Sequence, residues 1–310
     1  MTAAPLYTDV ADGPTGGQAF WLRAADGVRL RAAIWPGGNQ GTVLLLPGRT
    51  EYIEKYGRAA SDLALRGFTT VSIDWRGQGL ADRPLADKMS GHVDDFSSYQ
   101  KDLDALLKLA DDHSLPRPYL FLAHSMGGCI ALRGLMRGLP VQAAAFTAPM
   151  WGISMAPWMR PLAIAVSTTA GWLGQAHRYA PGTTAKTYVL EAPFTDNVLT
   201  TDAEMYDYMR SQAGAHPDLA LGGPSMGWLN AALSECNALS LMASPDAPAL
   251  CALGTSERVV DTAPIHQRMR RWQNGRIDLY PTAEHEIMME TPAMRQRLFD
   301  SVADHFRSHR

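Results

Sequence analysis

Apolar and polar positions change rhythm along the chain. From Ala19 to Trp35 they alternate (AFWLRAADGVRLRAAIW) around Asp26-Gly27. A period of two broken by Asp-Gly predicts a hairpin of half-buried strands closed by a tight two-residue turn. Beyond it the apolar residues run together without polar breaks. Such runs occupy Thr42 to Leu46, Thr69 to Ile73, Tyr119 to Leu122, Val141 to Phe146, Ala249 to Leu253 and Ile277 to Tyr280, each bounded by Gly, Pro or charge. Continuous apolarity of this length predicts strands buried on both faces, as in a parallel sheet.

Helical rhythm fills the gaps. Phe96, Tyr99, Leu103, Leu106, Leu107 and Ala110 recur at three and four and form one face of a long helix. Met294, Leu298, Val302 and Phe306 repeat this near the end, with Thr291 and Pro292 as N-cap and first residue. Strand and helix thus alternate, which predicts an open α/β sheet with helices on both faces. The stretch 151–235 breaks the alternation. It has no buried strand pattern, a capping-box signal at Thr201 and Glu204, and Trp151, Trp158, Trp172 and Trp228, half of the chain's 8 tryptophans. It reads as a helical insertion, or cap, between core segments 1–150 and 236–310.

Composition narrows the function classes. The chain is 46% hydrophobic and 19% charged, with 28 Lys+Arg against 31 Asp+Glu and a formal net charge of −3. It has no electrostatic footprint for nucleic acid, and disordered and coiled-coil readings fall away. Cys129, Cys236 and Cys251 are odd in number and scattered, which fits a reducing compartment better than a disulfide framework. The first residues lack a basic and an apolar segment of the secretory kind, and the run from Pro161 to Gly174 is too short to span a bilayer. A cytoplasmic protein is expected.

Chemistry enters at PYLFLAHSMGGCIALRGLM, Pro118 to Met136. A buried run ends at His124, Ser125 sits at the turn, and Gly127-Gly128 open a helix. Small-x-Ser-x-Gly between strand and helix is a nucleophile elbow, with Ala123 and Gly127 as the small flanking residues. A stricter match, Gly223-Pro224-Ser225-Met226-Gly227, follows no strand, and Pro224 fixes φ just before the serine. Ser225 therefore reads as a helix-start residue. Elbow enzymes place an acid and then a histidine after later strands. Glu257 follows the run ending at Leu253, and His285 follows the run ending at Tyr280. Asp261 competes for the acid, but it precedes TAPIHQRMRRW and reads as that helix's N-cap. Among the other histidines, His124 is expected to pack beneath the elbow, and His305 and His309 to lie on a solvated helix end. The oxyanion donors expected are the amides of Met126 and of Arg49, the latter in LPGRTEYIEKY after the third strand.

At this point the chain resembles the bacterial lysophospholipase and monoacylglycerol-lipase branch of the α/β-hydrolases, also described as a serine aminopeptidase-like family. The matching stretches are LPGRTEYIEKY, DWRGQG, GHVDDF, AHSMGG, LGGPSMGWL, ERVVD and HEIMME, in the family's order. Pro-Gly-Arg where monoacylglycerol lipases carry His-Gly makes the resemblance to the lysophospholipase member closer, and that branch supports Glu257 as the acid. Ala123 replaces the usual Gly. The resemblance implies an α/β-hydrolase fold: a mostly parallel eight-stranded sheet flanked by helices, with a helical cap inserted.

The expected reaction is acyl transfer to water. His285 takes the Ser125 proton, Ser125 attacks an ester carbonyl, and Glu257 orients the imidazole. No metal or organic cofactor is implied. Met150, Met155, Trp158, Met159, Leu162, Ile164 and Trp172 are expected to line an apolar acyl pocket, and the cap to touch a membrane surface transiently. The partner is then a small-molecule acyl ester, and Arg76 and Asp82 brace loops. Two other classes stay open: a peptidase that anchors an amino group on Asp196, Asp202 or Glu204, and a non-catalytic ligand sensor.

Overall fold

Successive side chains of a strand face opposite ways, so an unbroken apolar run needs cover on both sides. The computed structural model, which describes residues 2–156 and 158–309, provides it. One sheet contains β1 (Thr2–Ala4), β2 (Gln18–Arg23), β3 (Arg29–Trp35), β4 (Thr42–Leu46), β5 (Thr69–Asp74), β6 (Tyr119–His124), β7 (Ala143–Thr147), β8 (Ala249–Gly254) and β9 (Gly275–Tyr280). The order is β1-β2-β3-β5-β4-β6-β7-β8-β9. The first three strands pair antiparallel with each other, as β3 does with β5, and from β5 onward all pairs are parallel. Leu44, Leu46, Phe121 and Ala123 enter one core layer beside Leu103 and Leu106. Their neighbours Val43, Leu45, Leu120 and Leu122 enter the other, beside Leu298, Phe299 and Val302.

Three local expectations are corrected. The sheet has nine strands, not eight, because the three-residue β1 pairs with β2 through backbone bonds that leave no apolar run to read. The hairpin does not close on a two-residue turn. Gly27 N–H donates to Ala24 O at 2.8 Å, Ala24 N–H to Val28 O at 2.9 Å, and Gly27 has φ +86°, so a three-residue loop ends in a left-handed glycine. β9 is an edge strand, and Leu279 stands exposed rather than covered.

Between β7 and β8 the chain forms helices Met159–Trp172, Tyr188–Glu191, Ala203–Ala215 and Met226–Ser240. Helix Ala203–Ala215 is capped by Asp202, whose side chain accepts from Met205 N–H at 2.8 Å, in place of the expected Thr201–Glu204 box. It buries Met205, Tyr206 and Met209 in the second core layer. Helix Met226–Ser240 places Trp228, Ala231 and Cys236 in the first. Helix Met159–Trp172 packs on Met226–Ser240, yet the residues it buries are Ser167 and Ala170. No helix among the described residues is long and apolar enough to cross a membrane.

Candidate active site

The parallel register brings the C-terminal ends of the strands to one edge. Leu46 pairs with Ala123, His124 with Thr147 and Gly254 with Tyr280, so the loops after β4, β6, β8 and β9 converge there, the usual crevice of an open α/β sheet. Ser125 begins helix Ser125–Met136 directly after β6 with φ +48°, in the left-handed region. Two residues on, a Cβ at Gly127 would clash with the carbonyls of Leu46 and Pro47, so only glycine lets the helix start this close to β4.

His285 and Glu257 meet the serine from the far loops. His285 Nε2 lies 2.9 Å from Ser125 Oγ, and His285 Nδ1 lies 2.7 Å from Glu257 Oε2. Glu257 Oε1 accepts from the amides of Val259 (2.6 Å) and Val260 (3.0 Å). Burial opposes its charge, but His285 and these two amides outweigh burial and hold the carboxyl below its ordinary value. Asp261 is elsewhere: it caps helix Thr262–Arg270, accepting from Ala263 N–H at 3.1 Å. The loop bearing His285 is tied to the insertion by Glu286 N–H donating to Leu199 O at 2.8 Å.

The backbone amides of Arg49 and Met126 have no hydrogen-bond acceptor among the described residues. Met126 is in the first turn of its helix, where amides point free. The Arg49 loop is clamped by the DWRGQG stretch. Trp75 Nε1 donates to Pro47 O (2.9 Å), Gln78 Nε2 to Gly48 O (3.0 Å), and Thr50 N–H to Gln78 Oε1 (3.2 Å). Asp74 accepts from Ile53 N–H at 2.9 Å and from buried Arg31 at 2.7 Å. Arg76 pairs with Asp102 and Asp26, and Asp82 accepts from Arg29 N–H at 2.9 Å, both bracing loops.

Sequence reasoning missed a buried charged cluster under the site. Lys55 Nζ lies 2.7 Å from Glu51 and 2.6 Å from Glu286, and His124 Nε2 lies 3.2 Å from Glu286. The second His124 nitrogen, Nδ1, meets Thr147 Oγ1 at 2.9 Å, and its ring lies tilted at 55° against that of His285 with centroids 4.7 Å apart. Glu51 also accepts from Gly48 N–H and Tyr56 O–H. Burial disfavours every charge here, yet the carboxylates raise His124 above its ordinary value, and His124 and Lys55 hold Glu286 well below its own. The three acidic and imidazole groups bring ligand atoms together, and the cation among them is Lys55. The clue was LPGRTEYIEKY with HEIMME: Glu51 and Lys55 pair within the first stretch, but Glu286 of the second lies 231 residues from Lys55.

Ser225 caps helix Met226–Ser240, its Oγ accepting from Trp228 N–H at 3.0 Å. His92 Nδ1 is 2.7 Å away and bonds Asp94 through Nε2 at 3.0 Å. This second serine–histidine–aspartate chain is fully buried at its hydroxyl and joins GHVDDF to LGGPSMGWL: Gly91 pairs with Pro224 and accepts from Ser225 N–H at 2.9 Å. His305, expected on a solvated end, is buried and its pKa falls to about 4 through burial and neighbouring His309.

A cavity of about 350 Å³ opens over Ser125 and His285. Its apolar walls include Met150, Ile153, Val198, Leu199, Trp228 and Leu229. Of the residues expected at an acyl pocket, Met150 is the one among these walls. Met155, Trp158, Met159 and Trp172 do not line it, nor do Leu162 and Ile164, and Trp158 is 70% and Trp172 83% exposed. Helix Met159–Trp172 turns Met159, Leu162, Ile164, Trp172 and its N-cap Trp158 to solvent, because the residues it buries are the small Ser167 and Ala170; Met155 precedes the helix and is half-buried. Asp196, Asp202 and Glu204 also lie outside the cavity, bonded respectively to Arg258, the Met205 amide and Arg58.

Sheet, elbow and converging loops define the class: an α/β-hydrolase. Residues 37–292 match the family model described as "Serine aminopeptidase, S33", and the chain belongs to that family. It is 34% identical over 278 residues to lysophospholipase L2 of Escherichia coli (strain K12), covering 86% of this chain and 80% of that one. Identity to monoacylglycerol lipase of Mycolicibacterium smegmatis is 24% over 290 residues, covering 91% and 94%. Among solved structures, a soluble variant of monoglyceride lipase from Saccharomyces cerevisiae superposes with TM-score 0.72 at 20% identity, covering 93% of this chain and 94% of that one. A thermostable carboxyl esterase from Bacillus coagulans gives 0.75 at 15%, covering 94% and 98%. The chain is a lysophospholipase- and monoacylglycerol-lipase-like carboxylic ester hydrolase.

Proposed function

We propose that the protein hydrolyses carboxylic esters of lysophospholipids or monoacylglycerols through an acyl-enzyme on Ser125. His285 is the base that takes the Ser125 proton and later returns one to the leaving alcohol. Glu257 holds the imidazole tautomer and stabilises its cation. The amides of Arg49 and Met126 receive the oxyanion, each donor contributing about 3 kcal/mol of transition-state stabilisation. The observation that carries the reading is His285 lying 2.9 Å from Ser125 and 2.7 Å from Glu257 beneath an apolar cavity. Met150 and the aliphatic walls suit an acyl chain of variable shape. Residues 151–235 act as the cap over it, between core segments 1–150 and 236–310. Its exposed apolar helix Met159–Trp172 rests on a membrane or micelle surface during substrate uptake. A reducing, cytoplasmic setting belongs to the same proposal, supported by three buried, unpaired cysteines.

The test is an acyl-chain series of p-nitrophenyl esters with lysophosphatidylcholine and monoacylglycerol alongside. Turnover of the lipids, lost in Ser125→Ala, is expected; fluorophosphonate labelling without ester turnover contradicts the reading. For the surface contact, wild type is expected to sediment with phosphatidylcholine liposomes, and Trp158→Ser/Trp172→Ser several-fold less.

A further inference from the structure

Among the described residues, one lysine and one arginine line the cavity, and they differ in kind. Lys55 is held between Glu51 and Glu286. Arg49 has no carboxylate in ion-pair reach among the described residues. Its Nη2 donates to Gly222 O at 2.7 Å, its guanidinium lies 5.2 Å from the Trp228 ring centroid, and its buried Nε has no acceptor. Burial lowers its pKa to about 10, which leaves it charged at neutral pH. A desolvated cation with an open donor is costly unless a ligand completes it.

The same residue carries the backbone amide proposed above as an oxyanion donor, which has no acceptor among the described residues. An arginine spans as many covalent bonds from amide nitrogen to guanidinium carbon as a glycerol unit does from an ester carbonyl carbon to a phosphorus. We propose that the Arg49 side chain reads the phosphodiester of a lysophospholipid, so that one residue holds both ends of the glycerol unit. This rests on the lipid-ester reading above and chooses within it. The planar guanidinium matches phosphate oxygens and a neutral monoacylglycerol offers it no anion, so selectivity between the two substrates lies in this side chain.

The experiment compares kcat/KM for lysophosphatidylcholine with that for monoacylglycerol of the same acyl chain in wild type, Arg49→Met and Arg49→Lys. The ratio is expected to fall about tenfold or more in Arg49→Met and to recover partly in Arg49→Lys. Equal losses on both lipids would make Arg49 a brace for Gly222 and overturn the proposal. In a soluble arm, sn-glycero-3-phosphocholine and inorganic phosphate compete with p-nitrophenyl butyrate. Inhibition by the diester, weakened about tenfold in Arg49→Met, is expected; phosphate acting as strongly as the diester would indicate a free-anion site and overturn it. A wild type that cleaves monoacylglycerol but not lysophosphatidylcholine sinks this proposal alone. One that cleaves neither sinks the lipid reading with it.

Discussion

A serine hydroxyl is a weak nucleophile, and two serines here hydrogen-bond a histidine that in turn bonds a carboxylate. What separates them is the rest of each hydroxyl's surroundings. Ser225 Oγ already accepts the Trp228 amide and is fully buried, whereas Ser125 Oγ meets Nε2 of His285 at a cavity wall. Ser225→Ala should therefore cost about 1–3 kcal/mol in denaturant unfolding, by losing a cap and stranding His92, while p-nitrophenyl butyrate turnover persists. Turnover lost in Ser225→Ala but surviving in Ser125→Ala would reverse the assignment. The two acids separate likewise. Glu257→Gln should lower kcat about 10³-fold, while Asp261→Ala should cost about 1 kcal/mol of stability, about 2 °C in melting temperature, with kcat nearly intact. Chain order pointed to Ser125 and His285 and to an acid after the strand ending at Leu253, because an elbow fixes which strand ends the partners follow; the N-cap reading of Asp261 then left Glu257. The His92 contact was not legible, since it links residues 133 apart in sequence.

At the scale of elements, the proposed mechanism needs the loop after β4 held against the start of the Ser125 helix. The DWRGQG turn does this with side chains bonding to backbone, so the loop's conformation does not depend on its own short sequence. Gln78 contributes at three points: Gly48 O, Glu51 O and Thr50 N–H. Gln78→Ala should lower kcat for a soluble ester roughly 10- to 100-fold with little change in KM, because it misplaces the proposed oxyanion donor rather than a binding surface. A rise in KM at constant kcat would place Gln78 in substrate binding instead. Strand and helix periodicity was readable because burial imposes it locally. The clamp was not, since its hydrogen bonds obey no period.

Across the whole molecule, the Lys55–Glu51–Glu286–His124 cluster ties the loop after β4, the elbow and the His285 loop together. Glu257 and Glu286 titrate below the ordinary value of 4.5. Their stabilisation is complete above that value and is lost as pH falls through their lower folded values. His124 titrates above 6.5, so its contribution is complete below 6.5 and is lost as pH rises through its higher folded value. Melting temperature should accordingly peak between these limits, and His124→Gln should flatten the alkaline decline. An unchanged alkaline limb in that variant would show that His124 is not the titrating group.

Taken alone, the amino-acid sequence determined the strand–helix alternation, and it pointed to a break at residues 151–235 and to the order serine, acid, histidine. Each follows from local burial or from the position of a residue after a strand. Three-dimensional packing decided where the cap's apolar residues went. The Trp and Met excess at 151–172 looked like a pocket lining, yet Ser167 and Ala170 make the contact, and Trp158 and Trp172 face outward. Hydrophobicity states that a side chain favours leaving water. Which surface covers it depends on partners far away in the chain, and periodicity carries no record of them.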